Sequence, residues 1–185
     1  MPPAARDLHL ATATPDDTRA LGAAIAAALR PGDVLSLTGE LGAGKTCFVQ
    51  GAAQGLGVTE RVTSPSFVLR REYRGRHPVV HLDVYRLETL REVEDLGYED
   101  VLAASHVTFI EWGDAMSPLL PADYLEVELS LEDLPPGSAA SGAQGDVPLQ
   151  EPRRIVVRPH GADWARRLTD LAADLSPWTR HEEES

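Results

Sequence analysis

The eight residues Gly39–Thr46, GELGAGKT, constrain this chain more than any other stretch. They fit the pattern G-x-x-x-x-G-K-[ST] without a mismatch. Val34–Thr38 (VLSLT) reads as a short buried strand before them. Lys45 to about Leu56 reads as a helix after them, stopped by Gly57. Strand, glycine-rich turn and helix N-terminus, in that order, build an anion cradle. The glycines let successive backbone N–H groups converge on phosphate oxygens, and the helix turns its positive end to the same anion. In such a loop Lys45 brings a compact charge to the β- and γ-phosphates, and Thr46 brings a hydroxyl to Mg²⁺. The N–H of Cys47 faces the α-phosphate. The candidate nucleotide-binding residues are therefore Gly39, Glu40, Leu41, Gly42, Ala43, Gly44, Lys45, Thr46 and Cys47.

Composition sharpens this reading. Lys45 is the only lysine among 17 basic residues, and the chain has no asparagine. Rich Ala, Gly, Pro and Arg usage with almost no Lys or Asn is the mark of a GC-rich coding bias. Under such a bias a retained lysine has a task that arginine cannot perform. Without asparagine there is no N-K-x-D guanine reader, so the expected nucleotide is ATP. The 29 acidic residues give a net charge of −12. That charge opposes nucleic-acid phosphate and excludes autonomous binding of DNA or tRNA as the primary activity. A single cysteine excludes an intrachain disulfide framework and a cysteine-based zinc site, and suits a reducing cytoplasm. No run approaches the roughly 18–20 apolar residues of a membrane span, and the first residues lack the apolar stretch of a signal peptide. A cytoplasmic location away from membranes is expected.

Thr14-Pro15-Asp16-Asp17 predicts a helix start, with Thr14 as N-cap, running to about Leu29. Phe67–Tyr73 and Val79–Leu87 have strand character around the turn Arg74–Pro78. Glu88 to about Ala104 predicts one or two short acidic helices. Val107–Trp112, Tyr124–Leu131 and Arg153–Arg158 predict strands, and Ala162–Leu175 an amphipathic helix. Residues 132–152 read as a flexible loop, poor in large apolar side chains. The expected fold class is α/β: a single P-loop NTPase domain over residues 1–176, followed by a disordered tail, 177–185. Its central sheet is mostly parallel with antiparallel additions, and helices cover both faces.

A phosphate loop needs an acidic partner on a neighbouring strand to hold Mg²⁺ directly or through water. Asp83, 38 residues after Lys45, and Glu111, at the end of VTFIE, both follow apolar runs. Both are therefore expected at carboxyl ends of strands, where open α/β sheets place their ligands. At least one of them is expected on the metal.

GELGAGKT, TSPSF (Thr63–Phe67), HLDVYRL (His81–Leu87), EDLGYED (Glu94–Asp100) and IEW (Ile110–Trp112) occur in the order and spacing of one family. The chain resembles TsaE, the small P-loop ATPase of bacterial tRNA threonylcarbamoyladenosine synthesis, from about Leu8 to Leu131. The phosphate loop is generic, whereas its combination with SP[ST]F, H-x-D-x-Y-R-L and EW is specific. The resemblance implies that Lys45 and Thr46 hold phosphate and Mg²⁺, that Glu111 is a second metal ligand, and that Asp83 serves hydrolysis or nucleotide sensing. It implies that Ser64-Pro65-Ser66 is a mobile segment beside the γ-phosphate. It also implies that the helix start near Thr14 and an arginine near Arg153 or Arg154 flank the adenine. The expected function is that of a weak, partner-dependent, Mg²⁺-requiring ATPase. It acts with a TsaB–TsaD assembly, which transfers the threonylcarbamoyl group to the adenosine next to the anticodon. Contact with tRNA is then only indirect. Cys47 stands where the family often has Thr, and Ser66 replaces a common Thr.

Two other classes share these features. A small P-loop phosphotransferase, such as a nucleoside or nucleotide kinase, has the same loop and size but needs an acceptor pocket and an arginine-rich lid. A nucleotide-gated binding module has the loop without turnover. Four arginines on the hairpin, Arg70, Arg71, Arg74 and Arg76, make the one lid-like feature, and are also candidates for tRNA or acidic-partner contact.

Overall fold

The computed structural model describes residues 6–66, 68–87, 89–95, 97, 100, 102–132 and 151–180. They form β1 (Leu8–Thr12), α1 (Pro15–Ala26), β2 (Val34–Thr38), α2 (Lys45–Gly55), β3 (Arg70–Arg74) and β4 (Pro78–Asp83). There follow α3 (Leu90–Asp95), β5 (Val107–Glu111), a 3-10 helix (Gly113–Leu119), β6 (Tyr124–Leu131), β7 (Arg153–His160), α4 (Ala162–Leu171) and a 3-10 turn (Ser176–Trp178). The seven strands make one sheet in the order β1-β7-β6-β2-β5-β4-β3. The four central strands, β6-β2-β5-β4, are mutually parallel, while β7, β1 and β3 pair antiparallel at the flanks. The α/β class and the mixed sheet are as expected.

Local chemistry explains the elements. Val34 to Leu37 and all of β5 are buried on both faces, so they read as continuous apolar runs, as central parallel strands do. β6 alternates instead: Leu125, Val127 and Leu129 enter the core, and Glu126 and Glu128 face outward. Thr14 Oγ1 accepts from Asp17 N–H at 3.1 Å and caps α1, with Pro15 in the first turn. The main core lies between the sheet and helices α1, α2 and α4, with Phe48, Phe109, Leu125 and Trp164 fully buried. A Cβ on Gly51 would come within 1.9 Å of Arg19 O, so α1 and α2 cross closely because position 51 has no side chain. The opposite face is covered by the 3-10 helix through Met116, packed with Val34, Val80, Leu82, Val84 and Ile110.

Several boundaries depart from the sequence expectation. The first hairpin strand begins at Arg70, not Phe67, because Val68 and Leu69 N–H both return to Pro65 O and Leu69 takes φ 64°. Its partner ends at Asp83, not Leu87, because Asp83 Oδ1 accepts from Tyr85 N–H at 3.1 Å and turns the chain. α1 stops at Ala26 and α4 at Leu171, with Leu175 still buried. Residues 177–180, assigned to the tail, are folded against β1. Trp178 Nε1 donates to Asp17 Oδ1 at 2.7 Å, and Arg180 N–H donates to His9 O at 2.9 Å. Most of the expected loop, 133–150, and the end of the tail, 181–185, lie outside the described residues.

Candidate nucleotide-binding site

Side-chain parity brings the site together. Val79, Val107 and Phe109 face the helix-covered core, so His81, Asp83 and Glu111, an even number of residues further on, face the same way. Asp83 and Glu111 are register partners on β4 and β5, and Leu37 of β2 is the other neighbour of Glu111. The phosphate loop leaves β2 two residues later and turns into α2 on that same face. A Cβ on Gly39 would stand 2.0 Å from Leu129 O, so only glycine lets the loop start this close to β6.

The loop is occupied by its own lysine. Lys45 Nζ donates to Gly39 O at 2.6 Å and Glu40 O at 2.8 Å, and lies 3.8 Å from the centre of the Trp112 ring. Desolvation pulls the ammonium below its ordinary pKa of 10.5, against the opposing pull of Glu111, Asp83, Asp114 and Glu40. Thr46 Oγ1 donates to Glu111 Oε1 at 2.7 Å, and His81 Nε2 lies 2.9 Å from that same oxygen. Asp83 Oδ2 accepts from Ser64 Oγ at 2.8 Å and Ser66 Oγ at 3.0 Å. The Ser64–Ser66 turn is thereby tied to the end of β4.

These groups surround one cleft of about 290 Å³. Of the expected residues, Leu41, Gly42, Gly44, Lys45, Thr46, Cys47, Asp83 and Glu111 line it. Gly39 and Glu40 lie behind, offering carbonyls to Lys45, and Ala43 is buried with its carbonyl turned to Arg153. The cleft suits Mg²⁺ at one edge. The Thr46 hydroxyl donates a hydrogen bond to Glu111 and keeps its lone pairs free, so a hydroxyl and a carboxylate stand side by side, hard oxygens that could hold this ion beside phosphate and water. A larger cavity of about 730 Å³ runs along β3, but among its lining residues Arg70 is paired with both Glu72 and Asp100. Chemistry, not size, selects the smaller cleft.

Other readings change. Burial raises the Cys47 thiol above its ordinary 9.0, against Arg19 and Arg153, and Sγ donates to Pro15 O at 3.4 Å. The side chain joins α2 to the start of α1. Arg76 donates to Ala26 O and Gly55 O, at the ends of α1 and α2, and Arg70 pairs with Asp100. Only Arg71 and Arg74 of the four-arginine hairpin remain as exposed candidates for a partner. Two aromatic residues had no assigned role at the cleft. Trp112 (φ 62°) lies under the Lys45 ammonium, and Tyr85, 58% exposed, packs 4.7 Å from the Trp112 ring. Their positions, just beyond the acids of HLDVY and IEW, were the available signal. Of the two arginines named for the adenine, Arg153 is buried behind the loop and donates to Ala43 O, and Arg154 is exposed on β7.

A strand, a phosphate loop and a helix at the carboxyl edge of a parallel sheet, with acids closing the adjacent strands, define the P-loop class of α/β proteins. The family Threonylcarbamoyl adenosine biosynthesis protein TsaE matches residues 12–135. The chain is 42% identical over 123 residues to a tRNA threonylcarbamoyladenosine biosynthesis protein TsaE of Bacillus subtilis, covering 66% of this chain and 77% of that one. It is 39% identical over 151 residues to the TsaE of Streptomyces coelicolor, covering 80% and 93%. The fold resembles the crystal structure of Bacillus subtilis YdiB with a TM-score of 0.68 and 30% identity, over 91% of this chain and 96% of that one. The chain belongs to the TsaE family, and its role lies in tRNA threonylcarbamoyladenosine biosynthesis.

Proposed function

We propose that this chain binds and slowly hydrolyses ATP as an accessory protein in forming the threonylcarbamoyl group on the adenosine next to the anticodon. It works with a TsaB–TsaD assembly in the cytoplasm, and residues up to 180 act as one P-loop domain. The observation that carries this reading is the convergence of Lys45, Thr46 and Glu111 on one cleft, with Thr46 hydrogen-bonded to Glu111.

Phosphate enters by displacing the loop's own contacts. Lys45 gives up the carbonyls of Gly39 and Glu40, to which its ammonium is tethered, for the β- and γ-phosphate oxygens. The N–H groups of Gly42–Cys47 and the start of α2 hold the same anion. Thr46 and Glu111 would hold Mg²⁺, and the ion would supply positive charge to the phosphate oxygens. His81 orients Glu111 from behind. Asp83 acts through Ser64 and Ser66, so the turn it anchors can respond to the terminal phosphate. In the absence of a partner the turnover is slow. Two of the four arginines that would form a kinase lid are committed elsewhere: Arg76 caps two helices and Arg70 is held by Asp100. Net charge supports indirect contact with tRNA, because −12 opposes the phosphate backbone at physiological salt.

The test is calorimetric titration with MgATP, beside phosphate release. Lys45→Ala abolishes binding and turnover. Its melting changes by no more than about 1 kcal/mol, since two lost hydrogen bonds are offset by the relief of a desolvated charge. Lys45→Arg also binds poorly, because a planar fork does not fit a cradle shaped for an ammonium. Full activity in both variants contradicts the phosphate-loop reading.

A further inference from the structure

The peptide unit between Ala43 and Gly44 is held from behind the loop. Arg153 is 3% exposed, and its Nε–H donates to Ala43 O at 2.9 Å. Its other nitrogens are engaged on the far side: Nη1 with Glu151 O at 2.9 Å and Nη2 with Glu151 Oε2 at 2.7 Å. The guanidinium is thus fixed before anything enters the cleft. A Cβ at position 44 would stand 2.7 Å from Arg153 Nε, so the approach requires glycine there, with φ 105°. One register pair grips the loop at two points, because Leu131, paired with Arg153 across β6 and β7, donates its N–H to Glu40 Oε1 at 3.1 Å.

A trans peptide is planar, and its C=O and N–H point in opposite directions. Gripping Ala43 O from the buried side therefore turns Gly44 N–H to the open side, where Gly44 borders the cleft. A free loop populates other orientations of this unit, and the first anion contact then carries the ordering cost. The charge also reaches the cradle, since Arg153 is one of the two cations that oppose the rise of the Cys47 pKa at the start of α2.

We propose that Arg153 is a positioning residue of the phosphate site. Donation to Ala43 O presets the Gly44 N–H toward the phosphates, so the β6–β7 pair determines the affinity of a loop more than 100 residues earlier. This rests on nucleotide binding in the cleft, and the experiment separates the two. Wild-type protein titrated with MgATP tests the binding itself, and no binding there removes the broader reading. Where wild type binds, Arg153→Lys keeps charge and bulk but loses the flat Nε donor, and Arg153→Met keeps bulk but loses both charge and donor. Affinity for MgATP should fall roughly ten-fold in Arg153→Lys and further in Arg153→Met. Amide spectra should show the Gly44 N–H shift on saturation in wild type, with a reduced shift in the variants. Arg158→Gln, which removes an arginine of the same strand that pairs with Glu126 and Glu128 and spares the Ala43 contact, should bind within about two-fold of wild type. In wild type itself, which needs no variant to fold, the Arg153 Nε–H should exchange slowly with solvent both free and ATP-bound. Wild-type affinity in a folded Arg153 variant, or loss of the protected Nε–H on ATP binding, overturns the proposal.

Discussion

Glu111 and Asp83 are register neighbours, yet their oxygens serve different partners. Glu111 Oε1 takes Thr46 and His81, and Asp83 Oδ2 takes Ser64 and Ser66. The two carboxylates therefore separate in their effects. Glu111→Gln should weaken ATP binding strongly in Mg²⁺ and little in EDTA, since it removes charge at the metal. Asp83→Ala should leave MgATP affinity within about three-fold but lower turnover at least ten-fold, because it releases the Ser64–Ser66 turn. Titration calorimetry with single-turnover kinetics resolves the pair, and the opposite pattern exchanges their roles. Both acids were legible in the sequence from the apolar runs before them. The bonds that distinguish them were not, because Ser64 and His81 reach these carboxylates only through strand order and parity. The same holds for Lys45. The motif identified it, while its tether to Gly39 O and its place over Trp112 depend on a left-handed Trp112 that sequence does not announce.

At the scale of elements, the hairpin is the clearest change of meaning. Its arginines read as one basic patch, but Arg76 joins two helix ends, donating to Ala26 O, which also accepts from Leu29 N–H, and to Gly55 O in the last turns of α1 and α2. Arg76→Ala should therefore lower stability by about 1–2 kcal/mol in urea melts without moving MgATP affinity. A large affinity loss with unchanged stability would return Arg76 to the binding machinery. Arg70 ties β3 to Asp100. Its hydrogen bond holds the Asp100 carboxyl below the ordinary 3.8. A depressed carboxylate pKa contributes stability above 3.8 that is lost as pH falls through the folded value. Carboxyl-carbon titration should give a midpoint below 3.8, moving back toward it in Arg70→Gln; an unmoved midpoint contradicts this pairing. The central strands and the capped start of α1 were readable from apolar runs and cap chemistry. β1 was not assigned, although Leu8, Leu10 and Thr12 alternate, because its partner β7 lies some 145 residues away. The 3-10 helix Gly113–Leu119 was missed too. It follows a left-handed Trp112 and contains Pro118, and its Met116 is held by packing on the second face of the sheet.

For the whole molecule, a parallel sheet collects the chemistry at one edge, and the phosphate loop is held there by strands on both sides. The Ser64–Ser66 turn and Tyr85 complete the rim, so with nucleotide bound as proposed, anything that orders this rim would also act on the terminal phosphate. Nucleotide and partner should then bind with a shared coupling free energy, each changing the other's affinity by the same factor. The most direct measurement is the affinity of this chain for a TsaB–TsaD pair with a non-hydrolysable ATP analogue, with ADP and without nucleotide, alongside phosphate release with and without the pair. The account predicts tightest binding with the analogue, at least five-fold above the nucleotide-free state, and release that is slow alone and faster with the pair. Equal affinities in all three states together with an unchanged rate would contradict it.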